Sequence, residues 1–299
     1  MATCLLGLGS NVGDREATLD AALAQIDALP DVRLKRRSEW HRFRPLGGPP
    51  DQAEFINAAA VVETSVPPLT LLDELQDIEL RHGRQRGERW APRTLDIDVL
   101  LYGNEVSEHQ MLTLPHPRMS FRRFVLQPAA EVAPRMLHPV IGWPVERLLL
   151  HLDAARDQAA ILSPSESFRV EVATRLAERF GAEIVERPQF ATADQLWPTN
   201  VTTWLAINPP SSRSSPAAIE RAGVPYAAAA FPKLTILLDA NSEARGAAKT
   251  QWSTIVRKPG RGPTLRLQIT DQAAIQEEVL AAIESVWPDL GPASANRLE

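Results

Sequence analysis

Between Leu95 and Val99 the chain alternates apolar and acidic residues one for one, within the run Arg93-Thr94-Leu95-Asp96-Ile97-Asp98-Val99-Leu100-Leu101-Tyr102. A period of two is that of a β-strand, so Leu95, Ile97 and Val99 point to one face while Asp96 and Asp98 point to the other, roughly 7 Å apart. Burying two unpaired carboxylates side by side is costly, and a magnesium ion bridging them to phosphate oxygens removes the repulsion. The plain alternative is a half-exposed strand whose outer face happens to be acidic.

The residues just upstream favour the cation. From Arg81 to Arg93 the chain carries Arg81, Arg84, Arg86, Arg89 and Arg93 against the single acid Glu88. Guanidinium forks bind phosphate oxygens bidentately, and a cluster of them beside a two-carboxylate metal site suits a polyphosphate neutralised from both sides. Gly83 and Gly87 let this loop close over a substrate. A charge run standing alone is more often a solvated loop; this one leads directly into the acidic strand.

Apolar periodicity places these pieces in order. Residues 2–8 read as a buried strand, followed by the turn Gly9-Ser10-Asn11-Val12-Gly13-Asp14 and a helix with Leu19, Leu23, Ile26 and Leu29 on one stripe, stopped by Pro30. A strand over about 32–43, a Gly/Pro-rich loop at Leu46-Gly47-Gly48-Pro49-Pro50 and a strand over about 55–64 come next. Pro67-Pro68 opens a second helix with Leu71, Leu72, Leu75 and Ile78 inward and Gly83 as its C-cap. The order β-α-β-β-α-β is that of a ferredoxin-like α/β domain. Gly7-Leu8-Gly9-Ser10-Asn11-Val12-Gly13 is not a dinucleotide fingerprint, having one residue too many before its third glycine. The chain also contains no Gly-x-x-x-x-Gly-Lys-Ser/Thr loop, so ATP bound by this half would be held by arginines and magnesium. Phe55, Asn57 and Phe124 offer two rings and an amide that could sandwich and read a flat heterocycle, though rings at such spacing are more often core.

Bulk properties narrow the class. The 299 residues, 44% apolar and 23% charged, suffice for two domains with separate cores. A net charge of −5 argues against a general nucleic-acid-binding surface, and the single cysteine, Cys4, excludes an internal disulfide. Without a basic n-region or a run of about 18 apolar residues, a cytoplasmic protein that binds no membrane is expected.

The motifs Leu8-Gly9-Ser10-Asn11, Pro45-Leu46-Gly47, Phe55-Ile56-Asn57-Ala58, Glu88-Arg89-Trp90-Ala91-Pro92-Arg93-Thr94-Leu95-Asp96-Ile97-Asp98 and Pro115-His116-Pro117-Arg118-Met119 through Phe124-Val125-Leu126 resemble the hydroxymethyldihydropterin pyrophosphokinases of folate biosynthesis over about residues 3–152. The resemblance implies transfer of pyrophosphate from ATP to 6-hydroxymethyl-7,8-dihydropterin, releasing AMP, on a ferredoxin-like fold with two magnesium ions. It implies Asp96 and Asp98 as metal ligands and Arg84, Arg93 and Arg122 as phosphate-contacting or catalytic arginines. His116, Trp90, Gln76 and Glu79 fall about ATP, and Pro45, Leu46, Phe55, Asn57 and Phe124 about the pterin. Ala91 in place of a usual glycine, and Phe43-Arg44 in place of small or proline residues, depart from the family pattern and bear on loop closure and rate. An RNA-binding ferredoxin-like protein and a catalytically inactive scaffold are the competing readings. The first lacks stacking aromatics on its third strand, and the second does not explain intact Asp96, Asp98 and Asn57.

Residues 154–157 read as a short link dividing a pyrophosphokinase domain (1–153) from a second α/β domain (157–292). There the pattern gives a strand at Ala159–Leu162, a helix at Phe168–Phe180, a strand near Ile184, an irregular middle over 188–232, strands at Leu234–Asp239 and Thr264–Ile269, and a helix at Gln272–Trp287, in all a small parallel sheet. Ala160 to Glu183 and Leu234 to Asp239 weakly resemble deoxynucleoside kinases. Pro164-Ser165-Glu166-Ser167 stands where glycines and a lysine should cradle phosphates, and Glu166 would repel them. The reading is a P-loop-kinase-like domain without its Walker loop, non-catalytic and available for homodimerisation or docking.

Overall fold

The computed structural model describes residues 1–45, 52–84, 93–185, 201–207, 231–239, 262–268, 272–288 and 290. The chain forms two compact units, Met1–Leu149 and Leu150–Glu299. Among the described residues no helix is long and apolar enough to cross a membrane.

The first unit runs β1 (Ala2–Ser10), α1 (Arg15–Asp27), β2 (Val32–Arg37), β3 (His41–Phe43), β4 (Phe55–Thr64), α2 (Pro68–Arg81) and β5 (Asp96–Tyr102). A small hairpin, β6 (Ser107–Glu108) with β7 (Thr113–Leu114), a 3-10 turn at Met119–Phe121 and α3 (Arg123–Val132) follow, and α4 (Val145–Ala154) runs across the Leu149/Leu150 division. Its main sheet has the order β2-β4-β1-β5, with β3 beside β4, and every pairing is antiparallel. The expected strand over 32–43 is broken in two. Ser38 keeps its N–H on Ala59 O at 2.9 Å, but its side-chain hydroxyl rather than its carbonyl accepts the Ala59 N–H, also at 2.9 Å, and the Glu39 N–H turns to the Glu131 carboxylate at 3.0 Å.

Alternation fixes which face packs. Cys4, Leu6 and Leu8 of β1, Ile56 and Val62 of β4, and Ile97 and Val99 of β5 join Leu19, Leu23 and Ile26 of α1 and Leu71, Leu75 and Ile78 of α2 in one core. Asp14 caps α1 by accepting from Ala17 N–H, and α2 closes at His82, with Gly83 beyond it at φ +78°. That left-handed position is where glycine relieves the Cβ clash. The other face of β1, β4 and β5 carries Gly7, Gly9, Asn57, Asp96 and Asp98.

His138 is buried beyond α3, its Nδ1 accepting from Ile141 N–H at 3.2 Å, and burial lowers its pKa to about 4. The unfolded chain takes up this proton near pH 6.5 and the folded chain does not, so the contribution to stability is present above pH 6.5 and lost as pH falls toward 4. Chemical denaturation is expected to show the first unit losing about 2 kcal/mol more between pH 7 and pH 5 than a His138→Asn variant does. Parallel pH profiles for the two proteins would show that another group is responsible.

The second unit holds β8 (Arg156–Leu162), α5 (Glu166–Phe180), β9 (Glu183–Val185), β10 (Thr202–Ala206), β11 (Pro232–Asp239), β12 (Thr264–Gln268) and α6 (Gln272–Val286). Its sheet order is β12-β11-β8-β10-β9. The expected all-parallel sheet is corrected: β8, β11 and β12 are parallel, whereas β10 runs antiparallel to both β8 and β9. β10 lies inside the 188–232 stretch expected to be irregular, and Trp204 and Leu205 bury it. Arg156 and Asp157, read as linker, open β8. Asp157 gathers Lys233 Nζ at 2.5 Å and Trp287 Nε1 at 2.7 Å.

Candidate active site

Strand register assembles the site. Gly9 stands opposite Asp96 of β5 on one side and Asn57 of β4 on the other, while Asn57 also faces His41 of β3. Gly7 likewise lies between Asp98 and Ala59. Paired residues of neighbouring strands point to the same side of a sheet, so the two glycines form a floor without side chains between the acidic couple and the Asn57 amide. Over this floor lies a cavity of about 250 Å³. Asp96, Asp98, Arg84, Arg93, His116, Arg118 and Arg122 line its charged end, and Phe43, Phe55, Asn57 and Phe124 its aromatic end.

A Cβ on Gly9 would come within 3.0 Å of Asn57 Oδ1. Gly9→Ala is therefore expected to displace the Asn57 amide and raise the KM of whatever planar ligand it reads about tenfold or more, with an unaltered circular dichroism spectrum. An unchanged KM would remove Asn57 from recognition.

At the charged end Asp96 pairs with Arg84 and with Arg93, each at 2.8 Å. Burial, then the adjacent Asp98, raises the Asp96 pKa, opposed by Arg93 and Arg84. This is the electrostatics of a pair that gains from a cation. Among the described residues no group of three or more His, Cys, Asp or Glu side chains could hold a metal ion.

Arg122 precedes α3 and projects its guanidinium 5.4 Å from the Phe124 ring centre. Its Nε is buried without a hydrogen-bond partner among the described residues. Burial, then Arg118, lowers its pKa to about 10, which leaves it cationic at neutral pH. His116 is held by its own N–H on Leu100 O at 2.9 Å, and burial, then Arg122 and Arg118, lowers its pKa to about 3. The ring is thus neutral, and its Nε2 lies 3.9 Å from Asp98 Oδ2.

The aromatic end is built edge to face. Phe43 and Phe124 meet at 6.3 Å and 64°, and His41 stacks behind Phe43 at 6.4 Å and 28°. Glu131 holds His41 Nε2 at 2.7 Å.

Most of the residues anticipated from sequence converge here. Arg84, Arg93, Arg122, His116, Pro45, Phe55, Asn57, Phe124, Asp96 and Asp98 all line the cavity. Gln76 and Glu79 of α2 do not. Glu79 is buried beneath the floor, its Oε1 accepting from Ile97 N–H at 2.6 Å and pairing with Arg84. Burial raises its pKa to about 7, against the pull of the Ile97 N–H and Arg84. It grips the backbone between the two aspartates. Leu46 and Trp90 lie outside the described residues. Sequence reasoning passed over Phe43 as a wall, as well as Gln52 and Arg118. The signal for the glycine floor was present, since glycine inside a strand marks close approach by a ligand.

The family model described as 7,8-dihydro-6-hydroxymethylpterin-pyrophosphokinase matches residues 5–134. A 2-amino-4-hydroxy-6-hydroxymethyldihydropteridine pyrophosphokinase of Haemophilus influenzae is 45% identical over 139 residues, 46% of this chain and 86% of the relative. Proteins of the same name are similar in Pseudomonas aeruginosa, at 44% over 45% of this chain and 82% of the relative, and in Synechocystis, at 39% over 50% of this chain and 75% of the relative.

Proposed function

The chain belongs to the 7,8-dihydro-6-hydroxymethylpterin-pyrophosphokinase family, and from that premise we propose how its residues divide the work of moving pyrophosphate from ATP to 6-hydroxymethyl-7,8-dihydropterin. The protein is an ATP- and magnesium-dependent transferase of folate biosynthesis. The observation that carries the assignment of roles is the pairing, on one glycine floor, of a doubly acidic, arginine-flanked end with an aromatic end around Asn57. We read the first unit as ferredoxin-like, in keeping with its β-α-β-β-α-β order and its antiparallel β2-β4-β1-β5 sheet.

Asp96 and Asp98 would hold two magnesium ions, which when bound neutralise the triphosphate and polarise it toward attack. Phe55, Phe124 and Asn57 hold the pterin with its hydroxymethyl group toward the arginines, Pro45 and Leu46 completing its wall. Arg84, Arg93 and Arg122 take phosphate oxygens and stabilise charge as the hydroxyl oxygen bonds to the β-phosphorus, its proton passing to solvent water, and the bond from that phosphorus to the oxygen bridging it to the α-phosphorus breaks. AMP leaves. Neutral His116 serves as a hydrogen-bonding group on the nucleotide, beside Trp90 and, from α2, Gln76. Glu79 positions Arg84 and the Asp96–Asp98 backbone.

The second unit is read as non-catalytic and available for self-association. In the turn after β8, Arg169 Nη1 donates to Ser163 O at 2.9 Å and its Nε to Thr203 Oγ1 at 2.8 Å. A guanidinium bonded to this turn supports the reading that it does not cradle phosphate, which would take open backbone amides. Incubating the full chain with ATP, magnesium and the pterin tests the whole reading: AMP and pterin diphosphate should form in equal amounts, and ADP in their place would refute it.

A further inference from the structure

One amide ties together the ends of two cavity segments. Asn11 follows β1, is buried at 4% exposure, and does not line the cavity. Its backbone N–H donates to Arg93 O at 3.0 Å, and its Oδ1 accepts from Arg93 N–H at 2.7 Å. Its Nδ2 donates to Gln52 Oε1 at 3.2 Å. Both backbone groups of Arg93 are therefore fixed by a single residue, and the same side chain reaches Gln52, which precedes β4. Arg93 and Gln52 both line the cavity.

The consequence follows from how arginine works. A guanidinium on a flexible stem contributes to charge stabilisation only where its geometry is set beforehand, and a displacement of about 1 Å costs on the order of 100-fold in rate. Arg93 reaches Asp96 at 2.8 Å through Nη1, so a shift of its backbone moves the cation relative to both the acidic couple and the cavity. No other described residue bonds both main-chain groups of Arg93.

We propose that Asn11 is a positioning residue for the transfer reaction: it acts through Arg93, holding that guanidinium in register with Asp96, and links this register to Gln52 of the cavity lining. The inference rests on the pyrophosphokinase reading. It places a rate-determining contact outside the cavity, on a side chain that touches neither substrate.

A double-mutant cycle on the full chain tests it. Asn11→Ala is expected to lower kcat about 30- to 100-fold with the KM for ATP and pterin within threefold of the parent. In an Arg93→Ala background the same change should cost less than threefold, because there is no longer a guanidinium to place. Asn11→Asp, which keeps the acceptor for Arg93 N–H, should restore kcat to within tenfold of the parent. Should Asn11→Ala fail to fold, Asn11→Ser, too short to reach Arg93, completes the cycle. Equal losses in both backgrounds, or a loss confined to thermal stability, would overturn the inference while the parent still forms AMP. A parent that forms no AMP would overturn the underlying reading as well.

Discussion

Replacing Asp96 by alanine is expected to lower magnesium-dependent AMP formation at least 1,000-fold, on the order of 4 kcal/mol of transition-state stabilisation. Asp96 is half-buried, faces Asp98 across one residue, and receives two guanidiniums at 2.8 Å. Burial and the adjacent Asp98 raise its pKa, a cost to the ionised form that a bound cation would offset. The variant should therefore remain folded, with Arg84 still paired to Glu79. Arg93 would lose its partner at the cavity wall. Steady-state assays over a magnesium titration, paired with thermal melts, check this. Turnover within tenfold of the parent at saturating magnesium would take Asp96 out of the mechanism.

Arg122→Ala is the second large effect, expected at about 100- to 1,000-fold in kcat/KM for ATP. The physical reason is the Nε of a buried guanidinium, without a partner among the described residues, that lies among Arg118, His116 and the acidic couple. A buried donor that lacks a protein partner is costly by itself and makes a strong hydrogen bond to an anion. Deleting it should leave the melting temperature unchanged or raise it, while Arg122→Lys should not restore activity, because an ammonium lacks the planar fork. Isothermal titration with a nonhydrolysable ATP analogue separates binding from turnover. Equal affinity and equal rate in the alanine variant would show that this cation faces no phosphate.

How far the sequence foretold this site depends on the residue. The acidic couple was legible because a two-residue period admits one conformation, and β5 shows it, with Ile97 and Val99 buried beneath Asp96 and Asp98. Helix α2 was legible from its apolar stripe and from Pro68 at its start. The break at Ser38 was not, because its cause is a hydrogen bond to Ala59, 21 residues away. Glu79 was placed on ATP by resemblance, yet the fold sinks it under Ile97. Whether a helical carboxylate faces solvent or the sheet depends on how the helix is seated, which the local pattern does not encode. β10 escaped because its short run sits in Pro- and Ser-rich surroundings, and pairing with β8 overrides its local composition. Asn11 stood out only as the last residue of the motif Leu8-Gly9-Ser10-Asn11, without a role, since its meaning comes from Arg93, 82 residues on.

The central claim is that the cavity directs an alcohol oxygen to the middle phosphorus of a bound triphosphate. ATP carrying distinguishable labels on its β- and γ-phosphates, incubated with the full chain, magnesium and 6-hydroxymethyl-7,8-dihydropterin, tests it most directly. Both labels should move together onto the pterin, leaving unlabelled AMP. Transfer of the γ-label alone, with the β-label retained in ADP, would contradict it.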